Sequence, residues 1–130
     1  MINLELLQDH LNSIGLPMEV FLFLFPEEHQ YGEDVDITDA IAFSLKTEMS
    51  MPDIERTNMR LLIRAADPST CITAGNMLIE SLHLKTDLVL GGIQIVLFNA
   101  VDKTPEAIGL DNNKNHVFKV DITIVASPLN

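Results

Sequence analysis

The stretch "MRLLIRAADPSTCITAGNMLIESLH", Met59 to His83, restricts the possible folds more than any other part of this sequence. From Arg56 to Ala66 the residues alternate, with Met59, Leu61, Ile63 and Ala65 on one side and Asn58, Arg60, Leu62 and Arg64 on the other. That is the two-residue period of a strand with one apolar face. An Asp-Pro step follows: Asp67 suits a helix N-cap and Pro68 the first turn, where its missing N–H costs nothing. At about 100° per residue, Cys71, Ile72, Ala74, Gly75, Leu78, Ile79 and Leu82 then cover one arc, opposite Ser69, Thr73, Asn76 and Glu80. A one-faced strand joined tightly to a one-faced helix predicts a sheet with helices packed on it. Gly75 inside the apolar arc predicts close approach to the sheet beneath, because at an exposed interior site it would cost about 1 kcal/mol relative to Ala.

The rest of the chain extends this unit. Asn3 can cap a helix with Leu4, Leu7, Leu11 and Ile14 on one face, stopped by Gly15 and Pro17. "EVFLFLF", Glu19 to Phe25, reads as a strand covered on both sides, with Phe21, Phe23 and Phe25 sharing a face. "PEEHQYGEDVDITD", Pro26 to Asp39, holds six acidic residues and no basic ones and reads as a solvated loop. "AIAFSLK", Ala40 to Lys46, is a second strand, and "TEMSMPDIE", Thr47 to Glu55, a second loop in which Pro52 limits pairing. Beyond the turn at Gly91-Gly92, "IQIVLFNAV" and "HVFKVDITIVAS" are two more strands, the latter with Phe118, Val120, Ile122 and Ile124 on one face. "DKTPEAIGLDNNKN", Asp102 to Asn115, is the long connection between them. The expected fold is α+β: a mainly antiparallel sheet of about five strands with two helices on it, in the order α-β-β-β-α-β-β. Residues 1–130 are read as one domain, a length that suffices for one core.

Charge then removes several function classes. Eight Lys and Arg against 19 Asp and Glu give a net charge of −11, which opposes binding to a phosphate backbone. A protein that only lets nucleic acid pass could use the same repulsion. No run of apolar residues approaches the roughly 20 that span a bilayer, and "MINLELLQDHLNSIG" lacks the basic start of a signal peptide, so a soluble protein made in a cytoplasm is expected. The lone Cys71 permits no intrachain disulfide and lies in the apolar arc, where core packing is expected rather than catalysis. His10, His29, His83 and His116 show no zinc-ligand spacing, and Glu33, Asp34, Asp36 and Asp39 lack the calcium-loop pattern. Gly91-Gly92 lacks the glycines of a phosphate-cradling loop. Nothing proposes an enzyme, a metal or a cofactor. Arg60 and Arg64, four apart on a strand, share one side, suited to a solvated face or to an acidic surface on another subunit.

Taken together, "NMRLLIRAADPSTCITAGNMLIESLH" resembles the strand, Arg-x-x-Asp-Pro turn and helix ending in Leu-His of phage tail terminator, or minor capsid, proteins, on Arg64, Asp67, Pro68, Leu82 and His83. "TPEAIGLDNNKNHVFKVDITIVAS" is similar to the family's Pro, Leu-Gly-Asp, turn and closing strand, here Pro105, Gly109, Asp111 and Val117 to Ser127. This chain departs from the pattern in the order Gly109, Leu110, Asp111 and in the turn Asn112, Asn113, Lys114, Asn115. The resemblance implies a domain that forms a ring, usually a hexamer, on the head-proximal end of a tail tube at the virion's head-tail junction. Its partners would be copies of itself, the tail tube protein and a head connector or neck protein, with DNA passing through the lumen, and with no cofactor and no membrane. On that expectation Glu27, Glu28, Glu33, Asp34, Asp36 and Asp39 belong to an inter-subunit or lumen loop and Arg60 and Arg64 to a subunit contact. Lys103, Pro105, Asp111, Asn113 and Lys114 belong to a docking loop. The alternatives are a head-completion or connector ring, and a small homo-oligomeric ligand-binding module.

Overall fold

A helix cap is a local event, and both predicted caps form. The computed structural model describes residues 2–25 and 38–129. Asn3 Oδ1 accepts the Leu6 N–H at 3.0 Å to open helix α1, Leu4–Asn12. Asp67 accepts the Ser69 N–H at 3.0 Å to open α2, Pro68–Leu82, with Pro68 in its first turn. The strands are β1 (Val20–Leu22), β2 (Ala40–Ser50), β3 (Glu55–Ala65), β4 (Leu88–Leu90), β5 (Ile93–Ala100), β6 (Glu106–Leu110) and β7 (His116–Pro128).

They form one sheet in the order β1-β2-β3-β7-β5-β4, with β6 also paired to β7. Every pairing is antiparallel except β1 with β2. β3 and β7 lie side by side from Glu55↔Ala126 to Ala65↔His116. The other edge of β7 is shared: β5 takes its C-terminal half and β6 its N-terminal end, from His116 to Lys119. The predicted alternation holds on these strands, since Met59, Leu61, Ile63, Phe118, Val120, Ile122 and Ile124 are all buried. Ile41, Phe43 and Phe98 join them from β2 and β5, and Leu7, Leu11, Cys71, Ala74, Leu78 and Leu82 join from the helices, making one hydrophobic core.

The α+β class stands, but among the described residues the sheet has seven strands rather than about five. β4 is only three residues long, and β6 leaves all five of its residues exposed, so no burial pattern marks it in the sequence. Asp102 to Asn115 is therefore not a continuous loop. β2 continues through Ser50 into the segment expected as a loop, because β3 supplies a partner up to Ser50↔Glu55. The hairpin closes with Met51 and Ile54 exchanging backbone hydrogen bonds at 2.8 and 3.4 Å, which leaves Pro52 in the turn, where no ladder N–H is required.

Two further expectations are corrected. "EVFLFLF" yields a strand of only three residues, since Phe23 has φ +65°, and Phe23 and Leu24 emerge into solvent. Gly75 does allow a close approach, but chiefly to Pro105 on the β5–β6 connection, where a Cβ would lie 2.2 Å from Pro105 Cγ and 3.3 Å from Ile63 Cδ1. Gly91, at φ +65°, and Gly92 form the two-residue turn between β4 and β5, as expected.

Candidate functional site

Residues between the core positions of β3 and β7 point to the sheet face away from the helices, and there the charges gather. Asp121 pairs across the strands with Arg60, whose Nε donates to Oδ1 at 2.9 Å and whose Nη2 donates to Oδ2 at 3.2 Å. This fork is the strongest form of such a pair. Lys119 Nζ reaches Asp121 at 2.9 Å, Glu106 at 2.9 Å and Asp102 at 3.3 Å. Asp102 Oδ2 also accepts the Asp121 N–H at 2.8 Å. Two cations and three carboxylates thus tie β6, the β5–β6 connection and β3 to the middle of β7. Burial alone would push the Asp121 carboxyl up, but hydrogen bonds and attraction from Arg60 and Lys119 outweigh it and hold it below the ordinary carboxylate value. The hydrogen bond to Asp121, reinforced by Glu106, raises Lys119, and the same carboxylate raises Arg60. Each of these three shifts favours the charged form of Asp121, Lys119 or Arg60, so the cluster acts as a structural clasp.

The two arginines read together in the sequence have different fates. Arg60 keeps 52% of its side chain exposed. Arg64 is buried: its Nε donates to the Thr38 carbonyl at 2.8 Å and its guanidinium stands 4.8 Å from the centre of the Phe25 ring. Arg60 retains surface for a contact with another molecule, whereas Arg64 is used within the chain. Asp39 is exposed, and its Oδ1 accepts the Ala66 N–H at 3.4 Å. Glu27, Glu28, Glu33, Asp34 and Asp36 lie outside the described residues.

The expected docking segment divides in three. Lys103 and Lys114 are exposed just before and just after β6. Pro105 faces Gly75 of α2. Asp111 is used by its own turn, where Oδ1 accepts the N–H groups of Asn113 and Asn115 at 2.9 and 2.8 Å and Lys114 takes φ +64°. His83, from the Leu-His end of α2, has a role that no local signal announced. Its Nδ1 accepts the Ala100 N–H at 2.9 Å, and Leu84 N–H donates to the Phe98 carbonyl at 2.8 Å, so the helix end is fastened to β5.

Cys71 is buried, with its thiol 3.7 Å from the Ile63 carbonyl and 3.6 Å from that of His116, and burial pushes its pKa up to about 11. The protonated thiol is inert at neutral pH. Among the described residues, no group of three His, Cys, Asp or Glu side chains is placed to hold a metal ion. A cleft of about 440 Å³ between the ends of the two helices is lined by His10, Ser13, Ile14, Ser81, Lys85, Thr86, Asp87 and Leu88. His10 is half-buried there, and that burial lowers its pKa. No described helix is long and apolar enough to cross a membrane. No protein-family model matches the sequence, and no curated protein matches it.

Proposed function

We propose that this chain is a structural virion protein that assembles with itself as a ring and caps the head-proximal end of a phage tail tube, ending tail growth and offering a surface to the head connector. The observation that carries the reading is β6. It is an edge strand with all five residues exposed, among them Ala107, Ile108 and Leu110, and its sole charged side chain, Glu106, is held by Lys119. An apolar edge that has no further strand beside it among the described residues is a surface for pairing with another chain. The sequence resemblance to tail terminators supplies the context, and a net charge of −11 suits a ring through which DNA slides without binding.

Native mass spectrometry of the purified protein, with negative-stain images of the same sample, tests this. An annular particle with a hole as wide as DNA is the expected result, either free or on added tail tubes. A ring that binds a portal assembly and ignores tubes would move the protein to the connector. A compact dimer that ignores both would overturn the ring and turn attention to the cleft beside His10.

A further inference from the structure

Two exposed apolar surfaces lie at opposite ends of the long β3–β7 ribbon. One is β6, with Ile108 and Leu110 outward and Lys103 and Lys114 exposed just beyond its two ends. Neither lysine makes an ion pair among the described residues. The other is the end of the β2–β3 hairpin. There Met49, Met51 and Ile54 are exposed, and a groove of about 190 Å³ runs from Met51 and Pro52 to Ile93 and Pro128. β1 covers the outer edge of β2 only from Ile41 to Phe43, so among the described residues the edge from Ser44 to Ser50 has no strand beside it.

Both ends carry charges of both signs, and each offers a pair of exposed charges opposite to the pair on the other. Glu48 and Asp53 are exposed at the hairpin end without an ion pair among the described residues. Glu55 instead accepts from the Thr57 hydroxyl at 2.9 Å; of the hairpin cations, Lys46 lies back from the turn opposite Asn58, while Arg56 is exposed opposite Met49. β6 pairs around Val117 of β7 while the hairpin ends level with Ala126, a separation of about 30 Å along a strand, so the two surfaces cannot meet within one chain. Two unlike, complementary patches on one molecule make a head-to-tail contact, the kind that closes into rings.

We infer that the β6 edge of one copy receives the hairpin end of the next, with Ile108 and Leu110 against Met49, Met51 and Ile54, and with Lys103 and Lys114 facing Glu48 and Asp53. The inference rests on the ring reading and names the contact that builds the ring. Its test uses two charge-reversed full-length proteins, Lys103→Glu with Lys114→Glu, and Glu48→Lys with Asp53→Lys, compared with wild type by native mass spectrometry. Circular dichroism confirms that each is folded. Each variant alone should lose the multimer, and a one-to-one mixture should regain it, because an alternating arrangement opposes unlike charges at every contact. Should a reversed pair fail to fold, Ile108→Arg alone carries the same expectation of lost assembly.

A wild-type ring that persists in each variant, or variants that stay apart when mixed, would overturn this contact and leave the ring standing. Wild type that remains monomeric with and without tail tubes would remove both.

Discussion

Alternate residues of β7 lie in two different environments. Phe118, Val120, Ile122 and Ile124 are sealed under the helices, while Lys119 and Asp121 on the opposite face hold the ion cluster with Arg60, Glu106 and Asp102. The first face holds the sheet to its helices by removing apolar area from water, a contribution of about 25 cal/mol per Å² that is insensitive to pH and salt. The second contributes less and differently. Exposed ion pairs are worth about 0–1 kcal/mol, and their value here is in fixing where β6 sits on β7. One strand therefore supplies bulk stability on one side and placement of an edge on the other.

The sharpest way to break this comparison is to empty one core position. Phe98→Ala should lower unfolding free energy by about 3–5 kcal/mol, seen as a fall in the denaturant midpoint. Next comes the contact between α2 and the β5–β6 connection. Gly75→Ala drives a methyl group into Pro105 and should cost about 1–3 kcal/mol, part of which the double variant with Pro105→Ala recovers.

On the outer face, Asp121→Asn leaves Lys119 and Arg60 without their shared carboxylate and should cost about 1–3 kcal/mol in the same assay. It should also change the pH profile. A carboxyl whose folded pKa is depressed stabilises the fold above its unfolded value of about 4 and loses that contribution as pH falls through the folded value, so the variant should show a shallower acid limb. Lys119 has the reverse sign, because its raised pKa stabilises below the ordinary lysine value and is lost as pH rises through the folded one. The smallest effect belongs to Arg60→Ala, about 0–1 kcal/mol and weaker at high salt, since half of that side chain is in water. A loss at Arg60 as large as that at Phe98 would mean that the two faces do not divide the work in this way.

The legibility of the sequence followed the same division. Residues whose role is set by neighbours in the chain were readable: the caps at Asn3 and Asp67, Pro68 at the helix start, the Gly91-Gly92 turn, and the alternation that buries Leu61 and Val120. β6 was not, because an exposed edge strand is defined by the partner it pairs with and not by a hydrophobic period. Of the ion cluster, the sequence pattern singles out Arg60 alone. Asp102, Glu106, Lys119 and Asp121 meet only once β5, β6 and β7 are registered, and Arg60 joins them from 61 residues away in the chain.

By itself, then, the sequence determined two capped helices, an α+β composition with one apolar side to its main strands, and a net charge of −11. These are consequences of local hydrogen bonding, periodicity and summed charge, which act before the chain is folded. Tertiary structure decided the strand order, the parallel pairing of β1, the burial of Arg64 beside an exposed Arg60, and the two edges, along β2 and β6, that have no strand beside them among the described residues. Those outcomes depend on which backbone edges find partners and which are left over, a property of the whole sheet that no window of sequence contains.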